Sequence, residues 1–236
     1  MTKQVKYVAE LSGVKEVSLL GSADLSYWKA HLEPLGLQPT ESEGKAQVLI
    51  IAASLRFMRI PFQEVSFSVL VDPKPAQSHL SSGSYLLHAF NSLRLFAFSE
   101  RFFFSTPYTH AHCDVVTAAP LQINVSLSGK RAFLAQMRPS MPERPERVPI
   151  DSGEDGWDGP VYLPKSSKAS KKYFMAKISG QTTTFPFDPS SDQILFRTPP
   201  ASHPLFNTLI DSGFEGKEWY VRQNAYHAKS KSYTAQ

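Results

Sequence analysis

The chain has one cysteine, Cys113, in 236 residues. A single thiol allows no internal disulfide, which excludes a stapled secreted scaffold and points to a reducing compartment. Charge is also scarce: 19% of residues are Asp, Glu, Lys or Arg, below the roughly 25% typical of soluble domains. The 25 basic residues exceed the 21 acidic ones by only +4, too little to argue for a nucleic-acid partner. No apolar run approaches the roughly 20 residues that cross a bilayer; the longest, Val48 to Ala53, is strand-sized. Met1-Thr-Lys-Gln-Val-Lys6 leads into no unbroken apolar stretch, so no signal peptide is expected. Nucleotide-binding glycine loop, nucleophile elbow and paired-cysteine zinc site are all missing. The expectation is a soluble cytoplasmic protein with neither nucleic acid nor membrane as partner.

Rings are what the chain has in quantity. Aromatics make up 12%, and 16 of them are Phe. So much apolar material with so little charge excludes disorder, and the length suits one domain spanning residues 1–236. Leu25, Trp28 and Leu32 recur at helical spacing after Ser22, a capping residue, and Pro34 with Gly36 stops that helix. Ala46 to Ala53 reads as a buried strand. Pro61 then breaks the chain before Glu64 to Val71, where Val65, Phe67 and Val69 alternate with Glu64, Ser66 and Ser68 as in a half-buried strand. Tyr85 to Phe90 is another strand, and Asn91 or Ser92 caps a helix that runs to about Phe103 before Pro107. The clearest pattern is Leu121 to Ser128, a turn at Gly129-Lys130, and a return over Ala132 to Met137: an antiparallel hairpin.

Beyond it, prolines between Arg138 and Pro149 and the acidic, Gly-rich Asp151 to Gly159 read as a long surface connection. Strands resume at Tyr173 to Ile178, Gln181 to Phe187 and Ile194 to Arg197. A last helix is capped by Ser202, carries Leu205, Phe206, Leu209 and Ile210 on one face, and ends at Gly213. The class is mainly antiparallel β with a few helices, α+β.

Few residues suggest chemistry. His110 and His112 would share a face on a strand, but a metal needs a third ligand from elsewhere, such as Glu64 or His88; no metal or other cofactor is expected. The acids between Asp151 and Asp158 do not match a calcium loop. Lys165, Lys168, Lys171 and Lys172 form a basic run with only Tyr173 to stack a base, so a flexible charged loop, or a protein contact, is the reading. Phe96, Phe98, Phe102, Phe103 and Phe104 read most simply as core. Glu100 and Arg101 among them are either the solvent face of the helix or polar groups in a cavity.

Taken in order, Trp28-Lys-Ala-His-Leu-Glu-Pro-Leu-Gly-Leu-Gln-Pro39, Phe62-Gln-Glu-Val-Ser-Phe-Ser-Val-Leu-Val71, Gly83-Ser-Tyr-Leu-Leu-His88 and Phe98-Ser-Glu-Arg-Phe-Phe-Phe-Ser-Thr-Pro-Tyr-Thr-His110 resemble segments of the acetoacetate decarboxylase-like superfamily. The resemblance covers roughly residues 15 to 137. It implies a single β-barrel or cone with helices outside and an apolar pocket within. In that family a lysine forms a Schiff base with a β-keto acid, and a second lysine depresses its pKa. Aligned on Pro107, the family arginine falls on Arg101, but the two lysine positions are Tyr108 and Thr109, neither of which forms an imine. That closes the Schiff-base route unless another lysine, such as Lys130 or Lys177, enters the pocket.

The resemblance therefore implies a small-molecule-binding protein for a keto or carboxylated compound, without Schiff-base decarboxylase chemistry. Glu64, Arg101 and Tyr108 are the ligand-binding candidates. The alternative is a lyase, hydratase or isomerase in which His110 or His112 is the general base and Arg101 stabilises an enolate. Arg101 pairing with Glu64 or Glu100 for structural reasons is the plainer reading of that residue. An exposed sheet edge allows homo-oligomerisation.

Overall fold

The computed structural model describes residues 5–73, 81–138, 147–164, 170–197 and 203–235. In chain order the elements are β1 (Tyr7–Asp24), α1 (Leu25–Leu32), β2 (Leu37–Pro39), β3 (Glu41–Ser42), β4 (Lys45–Phe57), β5 (Ile60–Pro73), β6 (Gly83–Asn91), α2 (Arg94–Phe104), β7 (Tyr108–His110), β8 (His112–Val116), β9 (Gln122–Leu127), β10 (Lys130–Gln136), β11 (Asp151–Tyr162), β12 (Lys171–Pro186), β13 (Gln193–Phe196), α3 (Pro204–Asp211) and β14 (Glu215–Ala235). Mostly antiparallel strands with a few helices, as the patterning predicts, make up the described residues.

The larger sheet runs β2-β5-β4-β1-β14-β12-β11-β6-β7, and β6 also pairs back onto β5. The ladder from β5 through β4, β1, β14, β12 and β11 to β6 is thus a closed circuit. Its two faces explain the alternating sequences. On β4 and β5, Val48, Ile50, Ala52, Val65, Phe67 and Val69 point outward into the main core. There they meet Cys113, Ile123, Val125 and Phe133 of the second sheet, which is ordered β13-β10-β9-β8. Phe206 of α3 and Trp28 of α1 belong to the same core. Phe67 meets Phe133 edge-on at 5.2 Å, and Phe206 stacks on Phe133 at 5.9 Å. The polar partners in the alternation, Glu64, Ser66 and Ser68, line the interior of the circuit. The face of β5 that reads as solvent-exposed is therefore an internal wall.

Several expectations need correction. The 57–60 segment is a tight hairpin turn, with Met58 and Arg59 at φ 49 and 68, and Pro61 lies inside β5 opposite Arg56. No Gly or Asn advertises that left-handed turn, and a proline near the end of a ladder is tolerated. Asp151 to Gly159 is not a loop but most of β11, paired with β12 from Asp151↔Thr184 to Tyr162↔Tyr173. Its side chains are mostly exposed, so no apolar period marks it. The two pieces at 173–178 and 181–187 are one strand, β12, carried through a register shift between Ser179 and Thr183.

The caps also move. Asp24, not Ser22, caps α1, its Oδ1 accepting from Tyr27 N at 2.6 Å. His203 caps α3, and Ser202 lies outside the described residues. Ile210 is 42% exposed rather than on the buried face. Lys165 and Lys168 also lie outside the described residues, whereas Lys171 and Lys172 begin β12 and Lys171 is buried.

α2 is where it was expected, but turned around. Ala97 faces inward, while Phe98, Phe102 and Phe103 are 51%, 69% and 69% exposed. They are not core. Gly83 has a different necessity: a Cβ there would fall 2.1 Å from the Pro160 carbonyl oxygen, where β6 and β11 run parallel. No helix among the described residues is long and apolar enough to cross a membrane.

Candidate functional site

The closed circuit encloses a cavity of about 840 Å³. Leu49, Ile51, Leu55, Phe62, Leu86 and Phe174 give it apolar walls, and two clusters of hydrogen-bonded charged side chains stand among its polar groups.

The first cluster joins β5, β6, α2, β7 and β14. The Tyr108 hydroxyl donates to Glu64 Oε1 at 2.7 Å, and Asn91 Nδ2 donates to Glu64 Oε2 at 3.3 Å. Asn91 is itself fixed, because its Oδ1 accepts from Leu93 N at 2.9 Å. Lys229 Nζ donates to Glu100 Oε2 in an ion pair. The ammonium lies 4.4 Å from the Phe174 ring centroid and 4.8 Å from that of Phe104, within cation–π range. Thr106 Oγ1 donates to the same Glu100 oxygen at 2.9 Å.

Burial, then the nearby Glu100 carboxylate, pushes the Glu64 carboxyl above the usual range, against the pull of Tyr108, Lys229 and Asn91. Burial and the same two carboxylates hold the Tyr108 phenol well above its ordinary value. This end of the cavity therefore holds an ion pair beside a carboxyl that burial raises above its usual range.

The second cluster ties β1 to β14. Glu16 is fully buried. It accepts from Arg222 Nη1 at 2.6 Å and from Ser18 Oγ at 2.8 Å, and its other oxygen lies 2.6 Å from His227 Nε2. Arg222 Nη2 reaches on to Asp155 Oδ2 at 2.7 Å. Burial alone raises the Glu16 carboxyl, but the hydrogen bond and charge of His227, with Arg222 and Ser18, outweigh it and hold the group below its usual range.

Of the sequence candidates, Glu64 and Tyr108 come together and share a hydrogen bond. Arg101 is exposed on α2 and does not line the cavity. His110 and His112 are also exposed, and Ala111 divides them between β7 and β8. His88 lies 3.0 Å from Thr109 Oγ1 and packs on the ring of His203 at 4.1 Å. Among the described residues no group of three ligating side chains could hold a metal ion. Lys130 is exposed at the β9–β10 turn, and Lys177 lines the cavity. Sequence reasoning missed Glu16, Arg222, His227 and Lys229, all on the two long strands it failed to see. The one available signal was His227-Ala-Lys229, whose i, i+2 spacing puts two polar groups on one face of a strand.

No protein-family model matches the sequence, and the curated proteins give no match. Solved structures do. Acetoacetate decarboxylase from Legionella pneumophila superposes with a TM-score of 0.64 at 10% identity, over 99% of this chain and 90% of that one. The fold is that of acetoacetate decarboxylase. A second acetoacetate decarboxylase structure gives a TM-score of 0.59 at 10% identity, covering 96% of this chain and 88% of that chain. The enduracididine biosynthesis enzyme MppR, complexed with the condensation product of pyruvate and imidazole 4-carboxaldehyde, gives 0.59 at 12% identity over 94% and 86%. At such identity the likeness is one of fold. At this end of the cavity the phenol is that of Tyr108 and the ammonium that of Lys229 of the last strand.

Proposed function

We propose that this chain binds a small keto or carboxylated compound in the cavity without forming a Schiff base with it. The observation that carries this is the Lys229–Glu100 ion pair beside the Tyr108–Glu64 hydrogen bond. An imine needs a free amine, and lysines are activated for that by an apolar pocket or a second cation. Lys229 has a carboxylate in contact and ring faces over its ammonium; Lys177 also lines the cavity, and the reading requires that it form no imine either.

An ammonium has three donors, and Glu100 occupies one. The remaining donors suit the oxygen of a carbonyl or carboxylate. Lys229 thus takes the anchoring role that the sequence assigns to Arg101, while Tyr108 and Asn91 hold Glu64 in place. The cavity volume falls within the roughly 300–1,000 Å³ of ligand pockets. We read the closed circuit as a barrel and the whole chain as one domain, because the first and last strands pair along their length. The acid–base alternative is weaker, since His110, His112 and Arg101 are exposed.

The test is titration calorimetry with acetoacetate and pyruvate, alongside a carbon dioxide assay. Saturable binding without carbon dioxide release, lost in Lys229→Met, is the expected result. Binding that survives Lys229→Met, or turnover of either keto acid, overturns the reading.

A further inference from the structure

The outer face of α2 is apolar where a surface helix is ordinarily polar. Leu95, Phe98 and Phe102 follow one another at i, i+3 and i+7, are 67%, 51% and 69% exposed, and Phe98 stacks on Phe102 at 5.7 Å. Phe103, 69% exposed, extends the patch along the helix. The β4–β5 turn lies alongside, since Phe57 and Phe62 both meet the ring of Phe96, at 6.1 and 4.9 Å. That turn adds Met58 and Ile60, which are 80% and 46% exposed.

The exposed charges on these two segments have one sign. Arg56, Arg59, Arg94 and Arg101 are exposed. The segments 56–62 and 94–104 hold one acid, Glu100, and it is committed inward to Lys229.

We propose that this face docks on an anionic lipid surface, with the rings entering the headgroup boundary and the arginines meeting lipid charge. Charge complementarity selects this occupant over a second copy of the chain. A two-fold contact would set the same arginine-bearing face against itself, where like charges repel. The inner sides of the same two elements, Phe57, Phe62, Phe96 and Phe104, line the cavity, so the docking face and the cavity share a wall. The sequence gives no spanning segment, and surface docking needs none.

The test is co-sedimentation of the full chain with vesicles of phosphatidylcholine alone and of phosphatidylcholine mixed with phosphatidylserine. Binding to the mixed vesicles, weakened by salt, is expected. It should fall roughly tenfold or more in Arg59→Glu/Arg94→Glu and be lost in Phe98→Ser/Phe102→Ser. Both variants alter exposed side chains, so unchanged melting and unchanged keto-acid titration should accompany the loss and separate this inference from the ligand reading. No sedimentation with the mixed vesicles overturns it. So does a concentration-dependent oligomer that Phe98→Ser/Phe102→Ser dissolves, which would assign the face to a second copy.

Discussion

Arg222 and Lys229 both bring positive charge to the cavity wall, and they should fail differently when removed. Arg222→Met takes two hydrogen bonds from carboxylates: one at 2.6 Å to Glu16, whose side chain is 0% exposed, and one at 2.7 Å to Asp155, which is 57% exposed. Removing one partner of a buried pair costs roughly 3–5 kcal/mol, whereas an exposed pair is worth about 1 or less. His227 and Ser18 remain on Glu16, so the lower end applies, about 3 kcal/mol.

For a chain of this size each kcal/mol moves Tm by roughly 2–4 °C, giving a drop of about 6–12 °C. Scanning calorimetry on the parent, Arg222→Met, Glu16→Gln and the double variant measures this. The cost of Arg222→Met should shrink in the Glu16→Gln background, because the stranded charge is gone. Since Glu16 is held below its ordinary value of 4.5, its contribution is present above that pH and disappears as pH falls through the folded value. A loss below about 1 kcal/mol, or costs that simply add, would refute the assignment of this cluster to the joint between β1 and β14.

Glu64 runs the other way. Its folded carboxyl binds a proton more tightly than the unfolded one, so stability should decline as pH rises from its ordinary value of 4.5 through the raised value. Urea unfolding at mildly acidic and at alkaline pH should show Glu64→Gln losing part of that decline; an unchanged slope contradicts the raised carboxyl. Phe133→Ala, at the centre of the ring cluster between the sheets, should cost roughly 3–5 kcal/mol, read from the urea midpoint, and a cost near 1 would mean that the site collapses to fill the void.

What the sequence made legible follows one physical rule: an element shows itself when its two faces differ. β5 and the β9–β10 hairpin alternate cleanly because one face of each enters the apolar core. β1 and β14 stayed hidden because their inner faces carry Glu16, Ser18, Arg222, His227 and Lys229 into a cavity, which erases the alternation of apolar and polar. α2 was legible as a helix but not in orientation, since periodicity cannot tell a buried aromatic stripe from an exposed one. Glu64 and Tyr108 could be found through local motifs. The partners that complete the site could not, because Lys229 meets Glu100 across 129 positions and Arg222 meets Glu16 across 206. Only the closure of the sheet by its terminal strands brings them together.

Under the proposed function the cavity holds Lys229 as an ammonium anchor, and no lysine that lines it forms an imine. Borohydride reduction of the protein in the presence of acetoacetate or pyruvate, followed by intact-mass and peptide spectrometry, tests this directly. A chain of unchanged mass is expected. A reduced adduct mapped to Lys229 or Lys177 would contradict it.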